Sequence, residues 1–84
     1  MNRIMENTKG WLKRKGYSFE EKTWIVEGEK FPSFFVDCAK WEKGIIVGVD
    51  PEKAAPIINY ARKRDMNIRL CGFYRGECVH VWVS

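Results

Sequence analysis

Gly44-Ile45-Ile46-Val47-Gly48-Val49-Asp50-Pro51-Glu52 is the stretch on which the fold turns. Residues 45–49 are apolar without alternation. A strand apolar on both sides belongs inside a sheet that is covered on both faces. Asp50-Pro51-Glu52 then opens a helix, with an N-cap carboxylate followed by proline at the first helical position. The stretch therefore predicts a layered α+β domain with 45–49 as an interior strand and one helix on each face of the sheet.

Towards the C-terminus, Ala54, Ile57, Ile58, Tyr60 and Ala61 form the buried stripe of a helix ending near Asp65, with Pro56 in its first turn. Residues 68–74 and 77–83 read as two strands joined by a tight Arg75-Gly76 turn. Strand alternation puts Val79, Val81 and Val83 on one face and Cys78, His80 and Trp82 on the other. Towards the N-terminus, 33–40 is rich in strand formers, and Trp41-Glu42-Lys43-Gly44 is an exposed connection to the apolar run. Residues 17–27 give one long or two short strands, punctuated afterwards by Gly28 and Pro32. Ile4, Met5, Thr8, Trp11 and Leu12 follow the helical period from Asn2 to Lys15, and Gly16 ends that helix. The expected order is αβββαββ around a central mixed, mostly antiparallel sheet.

An 84-residue chain suits a single domain, 1–84, and four Trp, five Phe and three Tyr supply the area its small core needs. Three Cys, at 38, 71 and 78, are an odd number without regular spacing and read as reduced thiols. The first fifteen residues lack the apolar segment of a secretion signal, and no apolar run is long enough for a membrane span. The expectation is a cytoplasmic protein without a membrane partner. The glycines have neither Walker nor dinucleotide spacing, and no pattern asks for a cofactor or sets an oligomeric state.

Formal charge is +4, and the cations cluster as Lys13, Arg14 and Lys15, beside Lys9, and as Arg62, Lys63 and Arg64. Two such knots at helix ends favour an anionic partner such as nucleic acid, although the helix dipole alone also favours cations there. Trp41, in its exposed turn, marks a second contact surface that suits a protein partner. Trp11, Trp24, Trp41 and Trp82 are of the kind that offers stacking platforms to single-stranded bases, but most are read as core, with Trp41 the exception. Cys38, Cys71, Cys78 and His80 lack the paired-cysteine knuckle of a zinc site and are read as buried thiols and a core histidine, so no metal is assigned.

The element order, with a first helix running through Lys13-Arg14-Lys15-Gly16-Tyr17 into a strand, resembles the restriction-endonuclease-like (PD-(D/E)xK) superfamily, its small Holliday-junction-resolvase-like members above all. The resemblance places Glu6 at the helix glutamate, Asp37 at the metal-binding aspartate, and Gly48 and Asp50 where glutamate and lysine would stand. Such chemistry needs carboxylates to hold Mg²⁺ and a lysine to orient water. Gly48 supplies no ligand, and Asp50 reverses a charge. A rearranged site would use Glu6, Asp37 and Asp50 with Lys40 or Lys53 as the base, whereas Asp50 also reads as a plain N-cap. The leading expectation is thus a non-catalytic nuclease-fold domain that binds nucleic acid. A protein-binding module or inhibitor is the second reading, and a metal-dependent nuclease with a rearranged site the third.

Overall fold

The computed structural model describes residues 3–71 and 77–83. The first helix, α1 (Arg3–Arg14), buries Met5, Thr8 and Leu12, the positions that its period selects. It ends in a Schellman arrangement: the Tyr17 N–H donates to the Leu12 carbonyl at 3.0 Å and the Gly16 N–H to the Lys13 carbonyl at 3.1 Å. Gly16 takes φ +79° there, a left-handed value that glycine adopts without strain.

Strands β1 (Phe19–Val26) and β2 (Glu29–Asp37) form one long antiparallel hairpin. Its two-residue turn, Glu27-Gly28, has φ of 51° and 81°, the doubly left-handed geometry that matches strand twist. Pro32 lies within β2 rather than before it. The next strand over reaches only as far as Ser33, so β2 has a single neighbour at Pro32 and the missing N–H is tolerated as on an edge. Residues 23–26 and 29–32 consequently project as a two-stranded arm.

After β2 the chain leaves the sheet. The Asp37 carboxylate accepts the Ala39 N–H at 2.9 Å and turns the backbone into a separate hairpin, β3 (Ala39–Glu42) with β4 (Ile45–Val49). This corrects the expected interior strand: β4 pairs only with β3, and Ile45 and Val47 are 65% and 52% exposed. Glu42 pairs directly with Ile45 around Lys43-Gly44, whose φ angles are both positive. Closing that two-residue loop costs far less chain entropy than inserting a strand between distant partners. Trp41 and Glu42 accordingly lie in β3 and not in a loop.

Asp50 caps α2 (Pro51–Lys63), accepting the Glu52 N–H at 2.9 Å. Because the helix begins at Pro51, Pro56 falls in its second turn, on the exposed side. Strands β5 (Asn67–Cys71) and β6 (Cys78–Trp82) complete a four-stranded sheet of order β1-β2-β6-β5, antiparallel throughout rather than mixed. Their connection, which holds the expected Arg75-Gly76 turn, lies outside the described residues. The register pairs Cys71 with Cys78 and Arg69 with His80.

Phe34 and Val36 of β2 face Val81 and Val79 of β6 in register, and these four side chains line one face of the sheet. Met5 and Leu12 of α1 and Ala54, Ile57, Tyr60 and Ala61 of α2 pack into the same cluster. Both helices therefore cover one face, in place of the expected one on each. The opposite face is left to aromatic side chains and, at one end, to the β3–β4 hairpin. The fold is α+β with element order αββββαββ.

Candidate functional site

The helix layer is built on a ladder of rings. Trp11 stacks on Tyr60 at 4.4 Å and on Tyr17 at 5.8 Å between centroids, and the Arg64 guanidinium lies 3.7 Å from the Tyr60 ring centre. The Tyr17 hydroxyl donates to the Lys53 carbonyl at 2.6 Å, while the Thr8 hydroxyl lies 3.4 Å from the Tyr60 hydroxyl. These contacts join the end of α1 to the start of α2 and the middle of α1 to the end of α2. The helices thus run antiparallel.

The basic clusters sit at the C-terminal ends of α1 and α2, each beginning two residues after a member of the Trp11–Tyr60 stack. Lys13, Arg14, Lys15, Arg62, Lys63 and Arg64 are all exposed, and among the described residues none of the six forms an ion pair. Charge is also divided between layers. Segments 3–17 and 50–66 hold nine cations (Arg3, Lys9, Lys13, Arg14, Lys15, Lys53, Arg62, Lys63, Arg64) against four anions (Glu6, Asp50, Glu52, Asp65). The remaining segments hold six cations against seven anions. The whole positive excess belongs to the helix layer.

The other sheet face carries an aromatic column that sequence reading missed. His80 stacks on its register partner Phe35 at 4.0 Å and on Trp82 at 4.4 Å, with Trp24 edge-on at 5.0 Å. His80 is 3% exposed and its Nε2 has no hydrogen-bond partner among the described residues. Burial, and secondarily the positive charge of Arg69, holds its pKa below the ordinary histidine value. The available signal was the alternation Cys78-His80-Trp82, but only the register reveals Phe35 and Trp24 as its neighbours.

Where the β3–β4 hairpin leans over this face, a cleft of about 300 Å³ opens, lined by Phe35, Trp41 and Ile46 and by the carboxylates of Glu20, Asp37 and Glu77. Trp41 is 55% exposed, as expected, although it stands in β3 and not in the turn that motivated the expectation. Glu77 Oε2 is buried there without a hydrogen-bond partner among the described residues. A second, wider groove of about 740 Å³ runs between α1 and the β1–β2 arm, floored by Met5, Phe31 and Phe34 and crossed by the Lys9–Glu21 ion pair at 2.9 Å.

No protein-family model matches this chain, and no curated protein or solved structure is similar to it at a significant level.

The three carboxylates singled out by the nuclease resemblance occupy different places. Glu6 lines the groove beside the arm, Asp37 lines the cleft while accepting the Ala39 N–H, and Asp50 caps α2. The lysines proposed as bases are also engaged: Lys40 pairs with Glu42 at 3.7 Å, and Lys53 donates to the Ala39 carbonyl at 3.1 Å. Among the described residues no three His, Cys, Asp or Glu side chains converge as metal ligands. Cys38 is free and buried in the helix-side core, with its thiol pushed up to about 11 by burial and by Asp37. Cys78 is disulfide-bonded, which corrects the expectation of three reduced thiols. Its backbone partner across the sheet is Cys71. No helix among the described residues is long and apolar enough to cross a membrane.

Proposed function

We propose that the protein binds nucleic acid through its helix layer without cleaving it. The observation that carries this reading is the antiparallel packing of α1 and α2 on one sheet face, which brings Lys13, Arg14, Lys15 and Arg62, Lys63, Arg64 to a single surface. Trp11 and Tyr60, which stack at 4.4 Å, each stand two residues before one of these clusters, so the two clusters neighbour each other across the helix pair. Together they offer a polyanion such as nucleic acid several phosphate contacts, each of which releases counterions. The nuclease-like resemblance is retained as one of binding only, because Gly48 and Asp50 replace a metal ligand and a lysine and Glu6 lies in a different groove from Asp37.

Binding to duplex and single-stranded oligonucleotides should weaken linearly in log affinity against log salt, by about 0.9 per phosphate contact for duplex and about 0.7 for single strands. Reversing Arg62, Lys63 and Arg64 to Glu, or Lys13, Arg14 and Lys15 to Glu, should each weaken binding and flatten the slope. Equal binding by both reversed proteins would overturn the reading.

A protein partner is the second reading, favoured by one observation. Every exposed large hydrophobic side chain among the described residues lies on a strand: Trp24, Ile25 and Val26 on the arm, Trp41, Ile45 and Val47 on the β3–β4 hairpin, and Leu70 on β5. Exposed apolar groups gathered on projecting hairpins suit a protein interface.

A further inference from the structure

We propose that the cleft between the β3–β4 hairpin and the open sheet face receives an arginine side chain of a protein partner. This inference takes up the protein-partner reading and is independent of nucleic-acid binding, which uses the other side of the molecule.

The cleft combines two features that together select a cation. Its walls include Trp41, 55% exposed, whose ring face attracts a positive charge, whereas Phe35 already stacks on His80 and has Lys22 Nζ 5.9 Å from its ring centre. Its carboxylates are Glu20, Asp37 and Glu77, on a protein whose net charge is otherwise positive. Glu20 is 3.8 Å from Lys22, and Asp37 already accepts one backbone N–H. Glu77 Oε2 stands apart from both: it is buried at the cleft with no donor among the described residues. A buried acceptor without a partner is costly, and a donor brought by a ligand removes that cost.

Size and chemistry narrow the occupant further. About 300 Å³ is at the lower limit of ligand pockets, which suits one long side chain better than a cofactor. Guanidinium is planar, stacks on aromatic rings, forks onto carboxylates and is more weakly hydrated than ammonium, so it is the cation that tolerates such a half-enclosed place. Ile46 on the same wall offers an apolar surface for the methylene stem.

The test titrates the ¹⁵N-labelled 84-residue protein with the blocked peptide acetyl-Gly-Arg-Gly-amide, and in parallel with the same peptide carrying lysine or carrying citrulline, which keeps the shape and loses the charge. Saturable shifts are expected at the Trp41 indole N–H and at the Phe35 and Glu77 amides, with a Kd of about 1 mM, a plausible strength for one side chain. Citrulline should bind at least about tenfold more weakly, and the lysine peptide should fall between the two. Glu77→Gln and Trp41→Ala should each weaken the arginine peptide several-fold while the dispersion of the amide spectrum stays that of the unmodified protein, which shows that the variants are folded. Equal shifts from citrulline, shifts confined to other surfaces, or full retention of binding in Glu77→Gln would overturn the proposal. A protein partner captured through Ile45 and Val47 with no arginine effect would leave the interface reading intact and dispose of this one.

Discussion

Trp11 and Tyr60, 49 positions apart in the chain, stack at 4.4 Å with an interplanar angle of 29°, and this contact holds α1 against α2. Removing the Trp11 ring takes away its stacks on both Tyr60 and Tyr17. Trp11→Ala should therefore destabilise the protein by about 3 kcal/mol, within the range for large-to-small aromatic changes. A double-mutant cycle with Tyr60→Leu should return a coupling of about 1 kcal/mol. Chemical denaturation of the four proteins measures both quantities.

The stacked His80 predicts an acid limit to stability. Its folded pKa lies below the ordinary 6.5, first because it is buried and then because Arg69 is close. The unfolded chain thus binds the proton more readily, so the contribution is complete above pH 6.5 and is lost as pH falls below that value. Denaturation midpoints should decline on the acid side of 6.5, and His80→Phe should flatten that decline. An unchanged acid slope in the variant would contradict the assignment.

Cys38 predicts the opposite limb. Its thiol is raised from 9.0 to about 11, chiefly by burial and then by the charge of Asp37. A raised pKa stabilises the fold below pH 9 and is lost as pH climbs from 9 towards 11, a difference of about 3 kcal/mol for two units. Cys38→Ala should lose most of that alkaline slope. The same interval should mark the onset of thiol alkylation, readable by mass spectrometry on the native protein.

Asp50 should behave as a cap. Asp50→Ala removes the acceptor for the Glu52 N–H and should cost about 1 kcal/mol, whereas Asp50→Ser or Asp50→Asn should restore most of it. A catalytic role would instead demand the carboxylate. Cleavage assays on branched, duplex and single-stranded DNA with Mg²⁺ or Mn²⁺ should show background only, for the unmodified protein and for Asp37→Ala alike.

Local chemistry along the chain determined a good deal by itself. The period of Met5, Thr8 and Leu12, the Gly16 stop, the Asp50-Pro51 start and the alternation of Val79 and Val81 each depend on near neighbours, and each was legible in the sequence. The α+β class follows from them, as do the exposed basic helix ends and the exposed Trp41. Tertiary structure decided where those elements went. Ile45–Val49 has the composition of a central strand, but its nearest partner is Ala39–Glu42 across a two-residue turn, and short loops close at little entropic cost. Once that hairpin left the sheet, nothing required cover on both faces, and the helices packed side by side through Trp11 and Tyr60. The shared basic surface, the Phe35–His80–Trp82 column and the cleft beneath Trp41 all depend on that choice. Contacts between residues 45 or more positions apart, such as Phe35 and His80, are set by register and packing, which no local pattern encodes.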